Sequence, residues 1–354
     1  MMVPLLLALL LQTEAARPFP SDHGYAATPE HLEAVVAQSA RHPVPEIATA
    51  PLPDTPPLVL VCPHDDHSLA GPVYLPVMQK IRAPRLILLG VAHRAEKWKA
   101  GSVLIFDDHT SWASGALGGI SVDPVLRSEL LKALATENVL ISNGHHAEEH
   151  SIEAFVPWLR KFDCGSKIVP ILVPSMSWER MEGLASNLAD AMASIAMKRN
   201  WEMGKDVQVL ISNDATHYGD QGWGGKNHAP YGIGCEGLAG ATANDRRLIA
   251  TYLEGPLQAE RLKGLLYELV EEGDLTKYKV TWCGRFAVPF GLEFTRRLAE
   301  KMGMPVPEGK LLAYSTSVEL GQLEVEGLEP TAPSNLRHWV GYAAMGWWVP
   351  VERP

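Results

Sequence analysis

The sequence predicts an α/β fold in which a central, mostly parallel or mixed sheet is covered by helices on both faces. Continuous runs of Val, Ile and Leu indicate strands that are buried on both sides. These runs alternate with segments of helical periodicity, which is typical of parallel strands joined by helices. Hydrophobic residues make up 46% of the 354 residues, enough for a sizeable core, and no repeat or linker divides the chain. We therefore expect a single domain over residues 17–354.

The first part of the chain alternates between helix and strand. Residues 28–40 predict a helix in which Thr28 caps the first turn and Pro29 takes the first helical position. Further helices are predicted at 71–81 and 178–199. Buried strands are predicted at 58–62, 85–94, 167–175 and 206–219.

The second part begins with a glycine-rich stretch. Residues 219–240 also contain Trp223, His228 and Tyr231, and they predict a long irregular loop that could act as a lid. Helical segments are predicted at 245–253, at 260–273 and after Cys283. Two apolar strands are predicted at 310–317 and 338–349.

Charge and cysteine content exclude several classes of protein. The net charge is −10 and the pI is about 5.7, with no basic patch, so we expect no nucleic-acid partner. Cysteines stand at positions 62, 164, 235 and 283, and no pair has C-x-x-C spacing. A zinc ribbon and a thioredoxin motif are therefore excluded.

The N-terminus predicts a targeting segment. Residues 3–11 are apolar, and small residues follow at Ala15 and Ala16, as in a signal peptide that is cut near residue 16. If residues 1–16 are a signal peptide, we expect them to be removed and the protein to be periplasmic or extracellular. If they are not, we expect a cytoplasmic protein. The apolar run is too short to cross a bilayer, and no later segment is long enough, so we expect no membrane span.

Three predicted strands end in a histidine, which points to one shared crevice. These residues are His64, His93 and His217, and Asp214 lies three positions before the last of them. Functional groups in doubly covered parallel sheets gather beyond the carboxyl ends of the strands. Two imidazoles and one anionic ligand with open positions suit a first-row metal such as iron, copper or zinc.

Other interpretations of these residues remain open. A lone histidine at a strand end is often structural, and we assign structural roles to His67, His109, His146, His228 and His338. A metal-free alternative is a Cys–His hydrolase or transferase, with Cys283 as nucleophile and His217, oriented by Asp214, as base. A serine hydrolase is disfavoured because no G-x-S-x-G motif is present.

Seven segments, taken in order, resemble the Memo family, including the bacterial AmmeMemoRadiSam system protein B type. The resemblance runs from about Arg17 to Met345 and is carried by VCPHDDHSLAGPVY, LILLGVAHR, EEHSIEAFVPWLRKF, KIVPILVPS, LISNDATHYG, TWCGRFAVPFGL and VGYAAMGW. It implies a fold similar to that of class III extradiol dioxygenases.

The resemblance also implies a site. The metal ligands would be His64, His93 and Cys283. Asp214, His217 and His150 would serve in catalysis in the same cavity, with His217 as an acid or base and His150 beside the site. The expected cofactor is a divalent or redox-active ion, iron or copper rather than zinc. Because the thiol must lose its proton to bind metal, affinity should fall at low pH.

Two functions follow from the resemblance. The first is a metal-dependent redox or oxygen-using enzyme. The second is a non-catalytic binding or adaptor protein that retains a vestigial dioxygenase-like pocket. Memo relatives are also described as modules that bind phosphorylated peptides. The expected partner is a small molecule or a peptide. This sequence departs from the family pattern at Asp65, Asp66 and His67 after the first ligand, at Arg94 after the second, and at 286–287 after the third, so the surroundings of the site differ.

Overall fold

The structure is a computed structural model that describes residues 16–20, 24–48, 51–162 and 165–350. The predicted signal peptide lies outside the described residues except for Ala16. The strands are β1 (Glu46–Ile47), β2 (Val59–Cys62), β3 (Arg85–Val91), β4 (Leu104–Phe106), β5 (Ser111–Ala113), β6 (Gly119–Val122), β7 (Val139–Ile141), β8 (Lys167–Val173), β9 (Gln208–Ser212), β10 (Asp214–Gly219), β11 (Gly255–Pro256), β12 (Val270–Glu271), β13 (Asp274–Tyr278), β14 (Glu308–Thr316) and β15 (His338–Trp348).

The helices lie between these strands. They are α1 (Pro29–Ser39), α2 (His67–Met78), α3 (Ala95–Trp98), α4 (Pro124–Ala133), α5 (Asn143–Glu148), α6 (Phe155–Phe162), α7 (Trp178–Arg199), α8 (Gly234–Leu248), α9 (Ala259–Leu269), α10 (Ala287–Lys301) and α11 (Ser317–Leu320). A 3₁₀ turn covers Thr136–Asn138, and a π-helical turn covers Ile249–Leu253. Among the described residues, no helix combines the length and the apolar character needed to cross a membrane.

The large sheet is mixed, with a parallel centre. The order β2-β9-β3-β8 is parallel throughout and uses the four strands predicted from apolar runs. β15 pairs antiparallel with β2 and leads to β14 and β1, while β4 joins β8 antiparallel and leads to β7. The predicted fold class, an α/β domain with a mixed sheet, is confirmed.

Helices cover both faces, as the apolar runs predict. Alternate residues of a strand point to opposite faces. Ile87 and Leu89 therefore belong to the core that contains α7, α9 and α10, whereas Leu86 and Leu88 belong to the core that contains α1, α2 and α6. α1 begins as predicted, with the Thr28 hydroxyl accepting the N–H of His31 at 3.2 Å.

The structure corrects several predicted boundaries. The strand predicted at 206–219 is two strands, because the chain leaves β9 after Ser212 and β10 pairs antiparallel with β15 instead. Both pieces are β-like in sequence, so the change of partner has no local signal. The glycine-rich loop ends at 233, because α8 begins at Gly234, and not at 240 as predicted. α2 begins earlier than predicted, at His67, and α9 ends earlier, at Leu269.

Candidate metal centre

The carboxyl edge of the parallel strands brings together the three side chains predicted as metal ligands. His64 lies two residues beyond β2, His93 two residues beyond β3, and Cys283 four residues before α10. One ligand atom from each residue lies within 4.8 Å of the other two. They come together because β2 and β3 flank β9 in the same direction, and the segment before α10 crosses that edge.

The ring of His64 is held with one nitrogen turned toward the cluster. The Ser212 hydroxyl donates to the carbonyl of Ser151 at 2.8 Å, so its oxygen accepts from His64 Nδ1 at 2.7 Å. This order of hydrogen bonds assigns the ring proton to Nδ1 and leaves a lone pair on Nε2. Burial lowers the pKa of His64 well below its usual value, helped by the neighbouring His93 and His150. The neutral ring that results is the form that binds metals.

The ring of His93 is oriented by a buried carboxylate. Glu149 Oε1 accepts from His93 Nδ1 at 2.8 Å, and Oε2 accepts the backbone N–H of His93 at 2.8 Å. Glu149 Oε1 also accepts the N–H groups of His150 and Ser151. Burial by itself lowers the pKa of His93, but the charges of Glu149 and Cys283 outweigh it and raise the pKa to about 10. Carboxylates commonly orient metal-binding imidazoles in this way.

The segment around Cys283 is fixed by backbone hydrogen bonds to the edge of the sheet. The N–H of Cys283 donates to the carbonyl of Asp214 at 3.0 Å, and the N–H of Gly284 donates to Asn213 Oδ1 at 2.9 Å. A Cβ atom at Gly284 would lie 2.5 Å from that same oxygen, so this close approach requires glycine. Burial raises the pKa of the Cys283 thiol, although His93 opposes the shift. A free catalytic thiolate needs the opposite shift.

A β-bulge explains how Asp214 and His217 reach one cavity although they stand three residues apart. Residues i and i+3 of a regular strand point to opposite faces. In the pairing with β15, Asp214 lies opposite Tyr342 and His217 opposite Val340, so β10 contains one extra residue. Both side chains therefore line the cavity, and with Cys283 they form a second group of potential ligands within 4.8 Å of one another.

Asp214 also lies against the free nitrogen of His64. Its Oδ1 accepts the backbone N–H of His64 at 2.8 Å, and its Oδ2 lies 3.3 Å from His64 Nε2. Two acceptors that face one another need a proton or a cation between them. Burial, and after it the charge of Asp65, raises the pKa of Asp214 to about 8, so that a proton can fill this role in the absence of a cation.

His217 and His150 complete the wall of a cavity of about 470 Å³. The backbone N–H of His217 donates to Thr281 Oγ1 at 3.0 Å. The Nε2 atom of the His217 ring lies 3.6 Å from Cys283 Sγ. The ring of His150 stacks on that of His93, with centroids 4.7 Å apart. His150 also belongs to a third group of potential ligands, with His93 and Glu149.

The structure also identifies residues that the sequence prediction omits. Glu149 and Ser212 orient the two imidazoles, and the Tyr25 hydroxyl donates to the carbonyl of His64 at 2.8 Å. A carboxylate directly before His150 was visible in the sequence, but its partner, His93, lies 56 residues away. No local pattern indicates that pairing.

The histidines that were predicted to be structural do not line the cavity at the metal centre. His67 is buried, with Nδ1 accepting the N–H of Ala26 and Nε2 facing the carbonyl of Ala154 at 2.8 Å. His146 is buried, and its Nε2 lies 3.0 Å from the carbonyl of Ile105. His338 stacks on Trp223, His228 lines a neighbouring cavity, and His109 is buried beside Arg127.

The donor set fits a metal ion. His64 and His93 each have Nδ1 engaged by a neighbour, which leaves Nε2 of both rings for the cluster. Cys283 adds a soft sulfur donor, a combination that suits copper, iron or zinc. An ion held by these three residues would face the cavity that Asp214, His217 and His150 also line.

Comparisons with known proteins agree on one family. The family model described as Memo-like protein matches residues 22–325. A MEMO1 family protein of Saccharolobus islandicus is 32% identical over 170 residues, which make up 46% of this chain and 54% of that protein. A MEMO1 family protein of Sulfurisphaera tokodaii is 28% identical over 206 residues, or 55% of this chain and 66% of that protein. The chain spans about half the length of the Saccharolobus relative that it matches.

Proposed function

Because this chain belongs to the Memo-like protein family, we propose that it binds a metal ion through His64, His93 and Cys283 and uses it in a redox or oxygen-using reaction. The observation that supports this proposal is the convergence of the three ligand atoms within 4.8 Å, from segments far apart in the chain. The separate hydrogen bonds that orient both imidazoles support it further.

The proposed metal is iron or copper. Either ion would supply one-electron chemistry, which zinc does not offer. Side chains of the protein would transfer protons, balance charge and contact the ligand. His217 would give or take a proton at Nε2, which lies beside Cys283, and Asp214, which lies beside His64, would balance the charge of the bound ion. His150 would form the wall against which a small molecule or a peptide side chain rests.

Elemental analysis of protein purified without added metal or an affinity tag tests the metal site. We expect iron or copper in the wild-type protein and its loss in His93→Ala and Cys283→Ser. The matched controls are His42→Ala and Cys235→Ser, which change the same residue types outside the cavity. Unchanged metal content in both ligand variants would refute the proposal.

A second experiment separates an enzyme from a binding protein. Oxygen consumption is measured with ascorbate and with catechol, in the wild type and in His217→Gln. An enzyme would consume oxygen, and His217→Gln would keep its metal while losing turnover. Metal binding without oxygen consumption in the wild type would support the adaptor alternative.

Alkylation tests the third alternative, a Cys–His hydrolase or transferase. The raised pKa of the Cys283 thiol disfavours a reactive thiolate in the metal-free protein. We expect slow labelling of Cys283 by iodoacetamide at neutral pH. Fast labelling that bound metal does not affect would support the nucleophile instead.

Export of the protein is a further part of the proposal. The apolar run at 3–11 followed by Ala15 and Ala16 supports a cleaved signal peptide. Residues 1–25 fused to alkaline phosphatase, which is active only after export, should give an active and shortened reporter. An inactive, full-length fusion would contradict export.

A further inference from the structure

A second, smaller cavity of about 230 Å³ adjoins the candidate metal centre. His93 and Cys283 line both cavities, so the side pocket adjoins the two proposed ligands. Lys226 and Arg285 also line the side pocket. The described residues that line the neighbouring cavity at the metal centre include Asp65, Asp66 and Asp214 but no lysine or arginine.

Arg285 is held in place without a carboxylate partner. Its guanidinium lies 3.6 Å from the centroid of the Tyr278 ring, and Nη1 donates to the carbonyl of Trp282 at 2.7 Å. Among the described residues, no carboxylate forms an ion pair with Arg285 or with Lys226. The nearby cations Arg94 and Lys97, in contrast, both lie against Glu148.

Lys226 belongs to a loop that is tied down at both ends. The N–H of His228 donates to the carbonyl of Gly219 at 2.8 Å, and the ring of Trp223 stacks on His338 with centroids 3.9 Å apart. Arg337 Nε donates to Asp220 at 2.8 Å. These contacts fix the backbone of the loop on either side of Lys226, whose side chain lines the side pocket.

The lining of the side pocket favours a small anion. Lys226 and Arg285 supply two positive charges, and Glu96 offsets one of them. The planar guanidinium of Arg285 can hold a carboxylate through two parallel hydrogen bonds. The cavity volume of about 230 Å³ limits the ligand to a small molecule.

We propose that the side pocket binds a small organic carboxylate, with its anionic group at Lys226 and Arg285 and its other end toward Cys283 and His93. The proposal names the class of substrate or ligand for the metal centre. It rests on the proposed function for the presence of a metal ion at Cys283 and His93. Binding of the acid itself needs the two cations and not the metal. The two parts of the proposal can therefore fail separately.

Calorimetric titration with benzoate tests the side pocket, and benzamide is the neutral probe of the same shape. We expect saturable binding of benzoate and at least about tenfold weaker binding of benzamide, since a charge-assisted hydrogen bond is lost. Lys226→Gln and Arg285→Gln should each weaken benzoate binding by about tenfold. Lys226 is exposed, so its variant should fold even if the loss of Arg285 disturbs the backbone at Trp282.

The controls separate this inference from the metal site. Lys99→Gln removes an exposed cation that does not line the pocket and should bind benzoate as the wild type does. Protein stripped of metal by a chelator should retain benzoate binding, and Lys226→Gln should retain its metal. Equal binding of benzoate and benzamide, or unchanged binding in Lys226→Gln, would overturn the inference. Tighter binding of phenyl phosphate than of benzoate would overturn the assignment to a carboxylate.

Discussion

Glu149 binds His93 twice, once through the ring and once through the backbone. Its two carboxylate oxygens accept the Nδ1 proton and the N–H of His93, each at 2.8 Å. The carboxylate is buried, and its neighbour Glu148 points to solvent, where it contacts Arg94 and Lys97. Two adjacent glutamates therefore have different tasks, one at the centre and one at the surface.

This relationship predicts that Glu149→Gln lowers metal affinity by about 10- to 100-fold, the usual effect of losing a carboxylate that orients a ligating histidine. The amide oxygen of glutamine is a weaker acceptor for the ring proton than a carboxylate oxygen. The amide NH₂ group is a donor, so it cannot accept the backbone N–H groups that now donate to Glu149. Competition with a metal chelator measures the affinity. Glu148→Gln is the control and should bind metal normally. Equal affinities in the two variants would show that Glu149 does not support the site.

The hydrogen bond between Ser212 and His64 predicts an effect on the tautomer. Ser212→Ala removes the acceptor for Nδ1–H, so the ring of His64 can carry its proton on Nε2 instead. We expect metal affinity to fall by about tenfold and the free energy of unfolding to fall by about 1–3 kcal/mol. Nitrogen NMR of the metal-free protein should show the Nδ1–H tautomer in the wild type and a mixture in the variant. An unchanged tautomer would contradict the assignment.

Arg17 predicts where the folded domain must begin. Its guanidinium forms a buried ion pair with Glu153 at 2.6 Å and donates to the carbonyls of His146 and Glu149. Arg17→Met should lower the free energy of unfolding by about 3 kcal/mol or more, because it breaks a buried ion pair and removes the positive charge beside the buried Glu153. Deletion of residues 1–16 should leave the free energy of unfolding unchanged. Denaturant titration measures both, and a stable Arg17→Met variant would refute the prediction.

Two buried histidines away from the cavity predict destabilisation in acid. Burial lowers the pKa of His67 and of His146 from 6.5 to about 3. Below pH 6.5 the unfolded chain takes up a proton at each site and the folded chain does not, so protons favour unfolding down to about pH 3. Each histidine should therefore reduce the free energy of unfolding by about 1.5 kcal/mol between pH 6.5 and pH 5.

Denaturant titration of metal-free protein at the two pH values checks this expectation. His146→Gln should show a loss between pH 6.5 and pH 5 that is smaller by about 1.5 kcal/mol than the loss in the wild type. His42→Gln, at a partly exposed position, is the control and should behave as the wild type does. An identical pH dependence in all three proteins would mean that His146 also takes up its proton in the folded state.

Much of the fold could be predicted because its signals are local. The apolar runs identify the four parallel strands, and the histidines that follow β2 and β3 lie at the carboxyl edge of the sheet. The family resemblance added Cys283, which no spacing rule indicates. The strand around Asp214 was predicted as one continuous element, because its two halves have the same β-like composition and differ only in the strand they pair with.

The sequence by itself determined the α/β class, the buried strands and the placement of His64 and His93 beyond them, because apolar periodicity acts over a few neighbouring residues. Only the tertiary structure decided that a bulge turns Asp214 and His217 to one side, that Glu149 orients His93, and that Lys226 and Arg285 meet at a second cavity. Such pairings depend on which elements pack together. The residues that interact can be far apart in sequence, as are His64 and Ser212, which are 148 residues apart. No local sequence pattern therefore encodes these contacts.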